Sequence, residues 1–82
     1  MMEKHIIAGV HIVDREAHAP MVQEVFTKYG SQINTRLGLH DSINASNGLI
    51  LLEMADTPET GRMIEEIKAI AGVDCQMMMF EH

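Results

Sequence analysis

The sequence predicts an α+β fold of order βαββαβ, the ferredoxin-like sandwich. Its four-stranded antiparallel sheet should run 4-1-3-2, with both helices on one face. Three observations predict it: two apolar runs of strand length, two amphipathic segments with start and stop signals, and an echo between the halves of the chain. At 82 residues there is room for one domain and one core, so 1–82 is read as a single domain.

The first run, from Ile6 to Val13, is β-branched and closes on Asp14-Arg15-Glu16, which reads as a strand buried largely on both sides. Pro20 suits the first turn of a helix, and Val22, Val25, Phe26 and Tyr29 then repeat at helical spacing. Gly30 stands where a left-handed cap is wanted. Between Ile33 and Leu39 the residues alternate, with Ile33, Thr35, Leu37 and Leu39 on one side and Asn34, Arg36, Gly38 and His40 on the other. This strand is the more polar of the set, as an edge strand should be. A polar loop, Asp41 to Gly48, leads to the second apolar strand, Leu49 to Met54. Asp56-Thr57-Pro58-Glu59 offers a cap, a proline near the first helical position and an acid at the positive helix end. Met63, Ile64, Ile67 and Ile70 line the inner stripe, Gly72 stops the helix, and Val73 to Phe80 is the last strand.

Displacing the chain by 42 positions lays Asp14 on Asp56, Met21 on Met63, Val22 on Ile64, Val25 on Ile67 and Gly30 on Gly72. Helix start, stripe and stop coincide, so the architecture repeats. Right-handed crossovers then put strands one and three at the sheet centre.

Composition narrows function by exclusion. A formal charge of −6 leaves no basic patch to neutralise phosphates, which argues against direct nucleic-acid binding. The single Cys75 rules out an internal disulfide and a four-cysteine zinc site. The start, Met1 to His5, lacks a signal peptide's features, and no run reaches the length of a membrane span. A cytoplasmic location with no membrane partner is expected. Apolar residues are 46% but aromatics only 4%, and eight methionines make up the difference. Such a soft core in a short chain gains from burial against a copy of itself.

If Ile6, Ala8, Val10, Leu37 and Leu39 point to the helices, the opposite sheet face carries His5, Ile7, His11, Arg36, Gly38, His40, Leu51, Glu53, Met78 and Phe80. Such a mixed face marks an interaction site. Self-association through this sheet, as homodimer or homotetramer, is the expectation. Arg36 and Glu53 are expected on neighbouring strands and one face, as an interface ion pair or with Arg36 as anchor for a carboxylate or phosphate. Arg36, Gly38, His40 and Glu53 are thus the candidate ligand-binding residues. His11 and His40, with Glu53 beside them, are the candidates for a divalent transition metal, although no close histidine pair anchors a site. Cys75 should be core, and no catalytic constellation or nucleotide fingerprint appears.

Three stretches carry a family resemblance. They are Asp14-Arg15-Glu16 with Ala19-Pro20, Tyr29-Gly30 leading to Arg36-Leu37-Gly38-Leu39-His40, and Asn47-Gly48-Leu49-Ile50 with Gly72-Val73. Together they resemble regulators of the iron-only hydrogenase system, small domains similar to the C-terminal domain of the nickel-responsive repressor and, more distantly, to ACT domains. The resemblance implies oligomerisation through sheets and a role in regulation or sensing. In the nickel repressor, histidines of the second strand and a cysteine beginning the third hold the metal. Here His40 matches one of those histidines, Gly38 stands at the other, and Gly48 stands near the cysteine. No ribbon-helix-helix segment is present, so regulation of transcription would act through a partner. The combined expectation is a non-enzymatic, oligomeric regulatory or ligand-sensing module that binds a small molecule or a regulatory protein. The alternatives are a transition-metal-binding domain using interface histidines and a pure assembly subunit.

Overall fold

A computed structural model describes residues 4–81; His82 and most of the segment read above for a leader lie outside them. The elements are β1 (Lys4–Ile12), α1 (Arg15–Lys28), a 3₁₀ turn (Gly30–Gln32), β2 (Ile33–Leu39), β3 (Gly48–Ala55), α2 (Pro58–Lys68) and β4 (Val73–Glu81). The sheet order is β2-β3-β1-β4 with every neighbouring pair antiparallel. This is the predicted ferredoxin-like order.

One face of the sheet makes the core. Ile6, Ala8, Val10 and Ile12 of β1 and Leu52 and Met54 of β3 meet Val22, Val25 and Phe26 of α1 and Met63, Ile64 and Ile67 of α2. Residues as closed off as Leu52, Met54 and Ile67 each contribute about 1.5–3 kcal/mol by leaving water. β1 alternates between full and partial burial instead of being closed on both sides, because no second layer among the described residues covers its other face. Cys75 is buried in this core, and burial pushes its thiol pKa up, away from nucleophilic use.

The first helix differs from expectation at both ends. α1 begins at Arg15, not near Pro20, which falls inside the helix. The missing Pro20 N–H would have bonded the Glu16 carbonyl, and both residues are exposed, so water can take its place. The earlier start is held from outside the helix: the Asp14 N–H donates to Asn47 Oδ1 at 3.1 Å, and the Arg15 N–H to the Ser46 carbonyl at 2.8 Å. Asp14 itself is left-handed, with φ 49°. Gly30 is not a left-handed cap but opens the 3₁₀ turn. Gly72 does need its glycine, at φ 77°. α2 follows the reading closely. Thr57 caps it by accepting the Thr60 N–H at 3.1 Å, and Pro58 is the first helical residue.

A polar clamp joins the two helices. The Tyr29 hydroxyl donates to Glu66, and the Lys28 ammonium reaches both oxygens of the same carboxylate at 3.1 and 3.2 Å. These donors hold the Glu66 carboxyl pKa low, the Tyr29 hydroxyl contributing most. The pair is exposed and therefore adds little stability.

Candidate functional site

The face away from the helices is open, and a single irregularity in β2 decides what it displays. Ile33 lies opposite Met54, but the next paired residue is Thr35, opposite Glu53. Asn34 and Thr35 together face one residue, which is a β-bulge, and the bulge reverses the side-chain phase of everything after it. Leu37 and Leu39, expected against the helices, lie opposite Leu51 and Leu49 on the open face. Arg36 and Gly38, expected on the open face, lie opposite Leu52 and Ile50 on the helix side.

The Arg36 guanidinium confirms the reversal. It sits 4.9 Å from the Phe26 ring centroid and donates to Gln23 Oε1 at 2.9 Å, both partners being on α1. The expected Arg36–Glu53 ion pair is therefore absent, since the sheet separates the two groups. Gly38 opens onto space that an added Cβ would not fill. His40 follows the last residue of β2 and is exposed. The four candidate ligand-binding residues thus do not converge. Glu53 alone stands on the open face proper.

Around Glu53 the structure gathers other groups. Asn34 Nδ2 donates to Oε2 at 3.4 Å, Thr35 Oγ1 donates to Oε1 at 3.3 Å, and His5 Nε2 lies 3.6 Å from Oε2. Because of the bulge, two consecutive residues of β2 both reach the same carboxylate. His5, Ile7, Glu53 and Phe80 line a shallow hollow of about 320 Å³. A neighbouring hollow of about 240 Å³ lies over Ile7, Gly9, Gln76, Met77 and Met78. A Cβ on Gly9 would come within 3.8 Å of Leu51, so the glycine keeps this floor low. The surround is apolar and uncovered: Leu37 is 52% exposed, Met78 57% and Phe80 51%.

At the far end of β1, His11 bonds Asp41 of the β2–β3 loop, Nε2 to Oδ2 at 3.0 Å. Asp41 Oδ1 also accepts the N–H groups of Ile43 and Asn44, each at 3.0 Å. These bonds, the Asn44 N–H first and His11 next, lower its pKa to about 2. Asp41 is thus a carboxylate at neutral pH, and the His11 Nε2 carries the hydrogen. The His40 side chain makes no hydrogen bond or ion pair among the described residues. Nor do any three His, Cys, Asp or Glu side chains there gather into a set able to hold a metal ion. Asp41 and Thr35 were not singled out from the sequence. The Asp-Ser-x-Asn spacing of a side-chain-capped turn was the available signal for Asp41; for Thr35 there was none.

No family model matches the chain, and no curated protein matches it. Solved structures do. An uncharacterized protein from Thermotoga maritima, TM1266, superposes with a TM-score of 0.80 at 20% identity, covering 98% of this chain and 99% of that one. A nitrogen regulatory PII-like protein, CPII from Thiomonas intermedia, solved bound to ADP, AMP and bicarbonate, gives a TM-score of 0.53 at 12% identity, covering 100% and 91%. A formyltetrahydrofolate deformylase from Pseudomonas putida gives 0.51 at 10% identity, with 92% of this chain and 28% of that one covered. At such identities these likenesses show the fold alone. No helix among the described residues is long and apolar enough to cross a membrane.

Proposed function

We propose that this chain is a non-catalytic, self-associating regulatory or ligand-sensing module whose working surface is the open face of its sheet. The observation that carries the reading is the Glu53 hollow: a carboxylate with three polar neighbours, set in an exposed apolar surround. A few placed polar groups within apolar walls are what a small-molecule site needs. A carboxylate served by neutral donors and an imidazole suits a ligand with a hydrogen-bond donor or a positive charge. The Arg36 position suits an anion instead, so the two candidate anchors serve different chemistries on different faces.

Other lines support regulation over catalysis. The CPII structure holds adenine nucleotides and bicarbonate on this fold. The motifs resembling the hydrogenase-system regulators point the same way, and a partner carrying the DNA-binding part would complete such a role. His11 and Asp41 form a base with an orienting acid, yet no hydroxyl or thiol among the described residues bonds to that histidine.

The test pairs light scattering with a thermal-shift screen of amines, amino acids, nucleotides and divalent metals. An oligomer whose Tm rises with one ligand class, and loses that rise in Glu53→Gln, is the expected result. An oligomer that no ligand shifts would assign the face to assembly alone. A chain that stays monomeric at micromolar concentration and shifts with nothing would end the proposal.

A further inference from the structure

The bulge that turns Arg36 away also leaves Glu53 without a permanent cation beside it. No lysine or arginine among the described residues forms an ion pair with it. His5 Nε2, 3.6 Å from Oε2, is beyond hydrogen-bond range and offsets the charge only when protonated. Asn34 and Thr35 donate one bond to each carboxylate oxygen, at 3.4 and 3.3 Å, which is long for such bonds. A carboxylate has about four acceptor positions, so each oxygen keeps one for a further donor. The two β2 side chains thus aim the carboxylate without neutralising it.

Phe80 supplies the other wall. Ile7 lies opposite Glu53 and His5 lies opposite Phe80, so the acid and the ring stand on either side of β1, about 10 Å apart across the sheet. The chain has two Phe, one Tyr and no Trp. Two of these rings carry a cation, Arg36 at 4.9 Å from the Phe26 centroid and Lys28 at 5.3 Å from the Tyr29 centroid. Phe80 carries none among the described residues and is half exposed. A charged head seated over Ile7 can bond a Glu53 oxygen and lie within the ~6 Å over which an aromatic face attracts a cation.

We infer that the Glu53 hollow takes a small organic monocation, an alkylammonium or guanidinium with a short apolar body, held between the Glu53 carboxylate and the Phe80 ring. That assignment rests on the hollow being the working site, as proposed above, and adds the ligand's charge, size and second contact. Other occupants fit less well. Nucleotides and other anions are repelled by the carboxylate and by a formal charge of −6, which instead concentrates cations near the surface. A metal ion needs several converging ligands, and no three His, Cys, Asp or Glu side chains gather among the described residues. A neutral ligand of the same shape forgoes the charge-assisted bond, which is about twice as strong as a neutral one. At about 320 Å³ the hollow is near the lower end for ligand sites, which run about 300–1,000 Å³, so the apolar body is short.

Three probes of nearly one shape test the charge: n-butylammonium, n-butanol and butyrate. Each is titrated into the whole chain at constant ionic strength and followed by NMR. The expected result is saturable shifts with butylammonium at the amides of His5, Ile7, Thr35, Glu53 and Phe80, and none with the other two. Glu53→Gln should abolish these shifts, and Phe80→Leu should weaken binding about two- to fivefold, with circular dichroism checking both folds. Equal shifts with butanol or butyrate overturn the cation class and leave the hollow a ligand site. Butylammonium shifts that never saturate, or that survive Glu53→Gln, overturn the inference. If no probe shifts these amides, the inference falls. The function proposed above then stands if another ligand class raises the Tm through Glu53, and falls as well if the chain is a monomer that nothing shifts. Should Glu53→Gln not fold, the wild-type shift map and its dependence on probe charge decide.

Discussion

His11 and Asp41 are bonded at 3.0 Å across the mouth of the β2–β3 loop, joining the end of β1 to a side chain that also caps the loop's own backbone. One carboxylate thus satisfies two amides and an imidazole, and each bond favours its charged form. Asp41→Asn should lower the Tm, because the amide cannot accept as strongly from three donors. Because the folded pKa is depressed to about 2, the carboxylate's contribution is fully present above its ordinary value of 3.8. It is lost as pH falls through about 2. The Tm difference between wild type and Asp41→Asn should therefore narrow from pH 5 to pH 2. A difference that stays constant over that window would show that the charge is not what matters.

Gly72 and His18 give a second test. With φ at 77°, an alanine at 72 adopts a left-handed conformation that costs about 1–2 kcal/mol. Its Cβ would also lie 2.6 Å from His18 Cε1, so the ring must leave its place and its bond to the Val13 carbonyl. Gly72→Ala should destabilise by at least the backbone cost in urea unfolding, and His18→Ala should relieve only the steric part. Gly38→Ala, where an added Cβ meets nothing, should be close to neutral.

Arg36 and Glu53 should behave as strangers. They stand on opposite faces of the sheet, and Arg36 is occupied with Phe26 and Gln23. Arg36→Ala should cost about 0.5–1 kcal/mol through its lost ring contact. A double-mutant cycle with Glu53→Gln should show coupling below about 0.5 kcal/mol. Strong coupling would contradict the bulge.

Thr57 does more than cap α2. Its hydroxyl also donates to Gln32 Oε1 at 2.8 Å, linking the start of the second helix to the 3₁₀ turn after the first. Thr57→Ala should cost about 1–2 kcal/mol, at the upper end for an N-cap. Thr57→Ser, which keeps the hydroxyl, should recover most of it, as denaturant midpoints would show.

The helices, strands and their order were legible because each rests on periodicity, and periodicity is local. Thr57-Pro58 announced its helix for the same reason. The face of Arg36 was not legible. The strand reads as an unbroken alternation from Ile33 to Leu39, and nothing in Asn34-Thr35 announces that both will sit over one partner residue. A bulge is a property of two strands, written in a register that one strand does not hold. The start of α1 was missed on similar grounds, since its outer support comes from Ser46 and Asn47, more than thirty residues away. The candidate site suffered most, because every residue chosen from β2 inherited the wrong phase after the bulge.

The echo divides the chain into β1-α1-β2 and β3-α2-β4, yet β1 pairs with β3 and β4, and β2 pairs with β3. Among the described residues no ladder lies within a half. Either half alone would hold two strands that are not neighbours, with every rung of their hydrogen bonding missing. The repeat is therefore no smaller folding unit: it becomes structure only when the other copy of the pattern threads between its strands, and the domain must form as a whole.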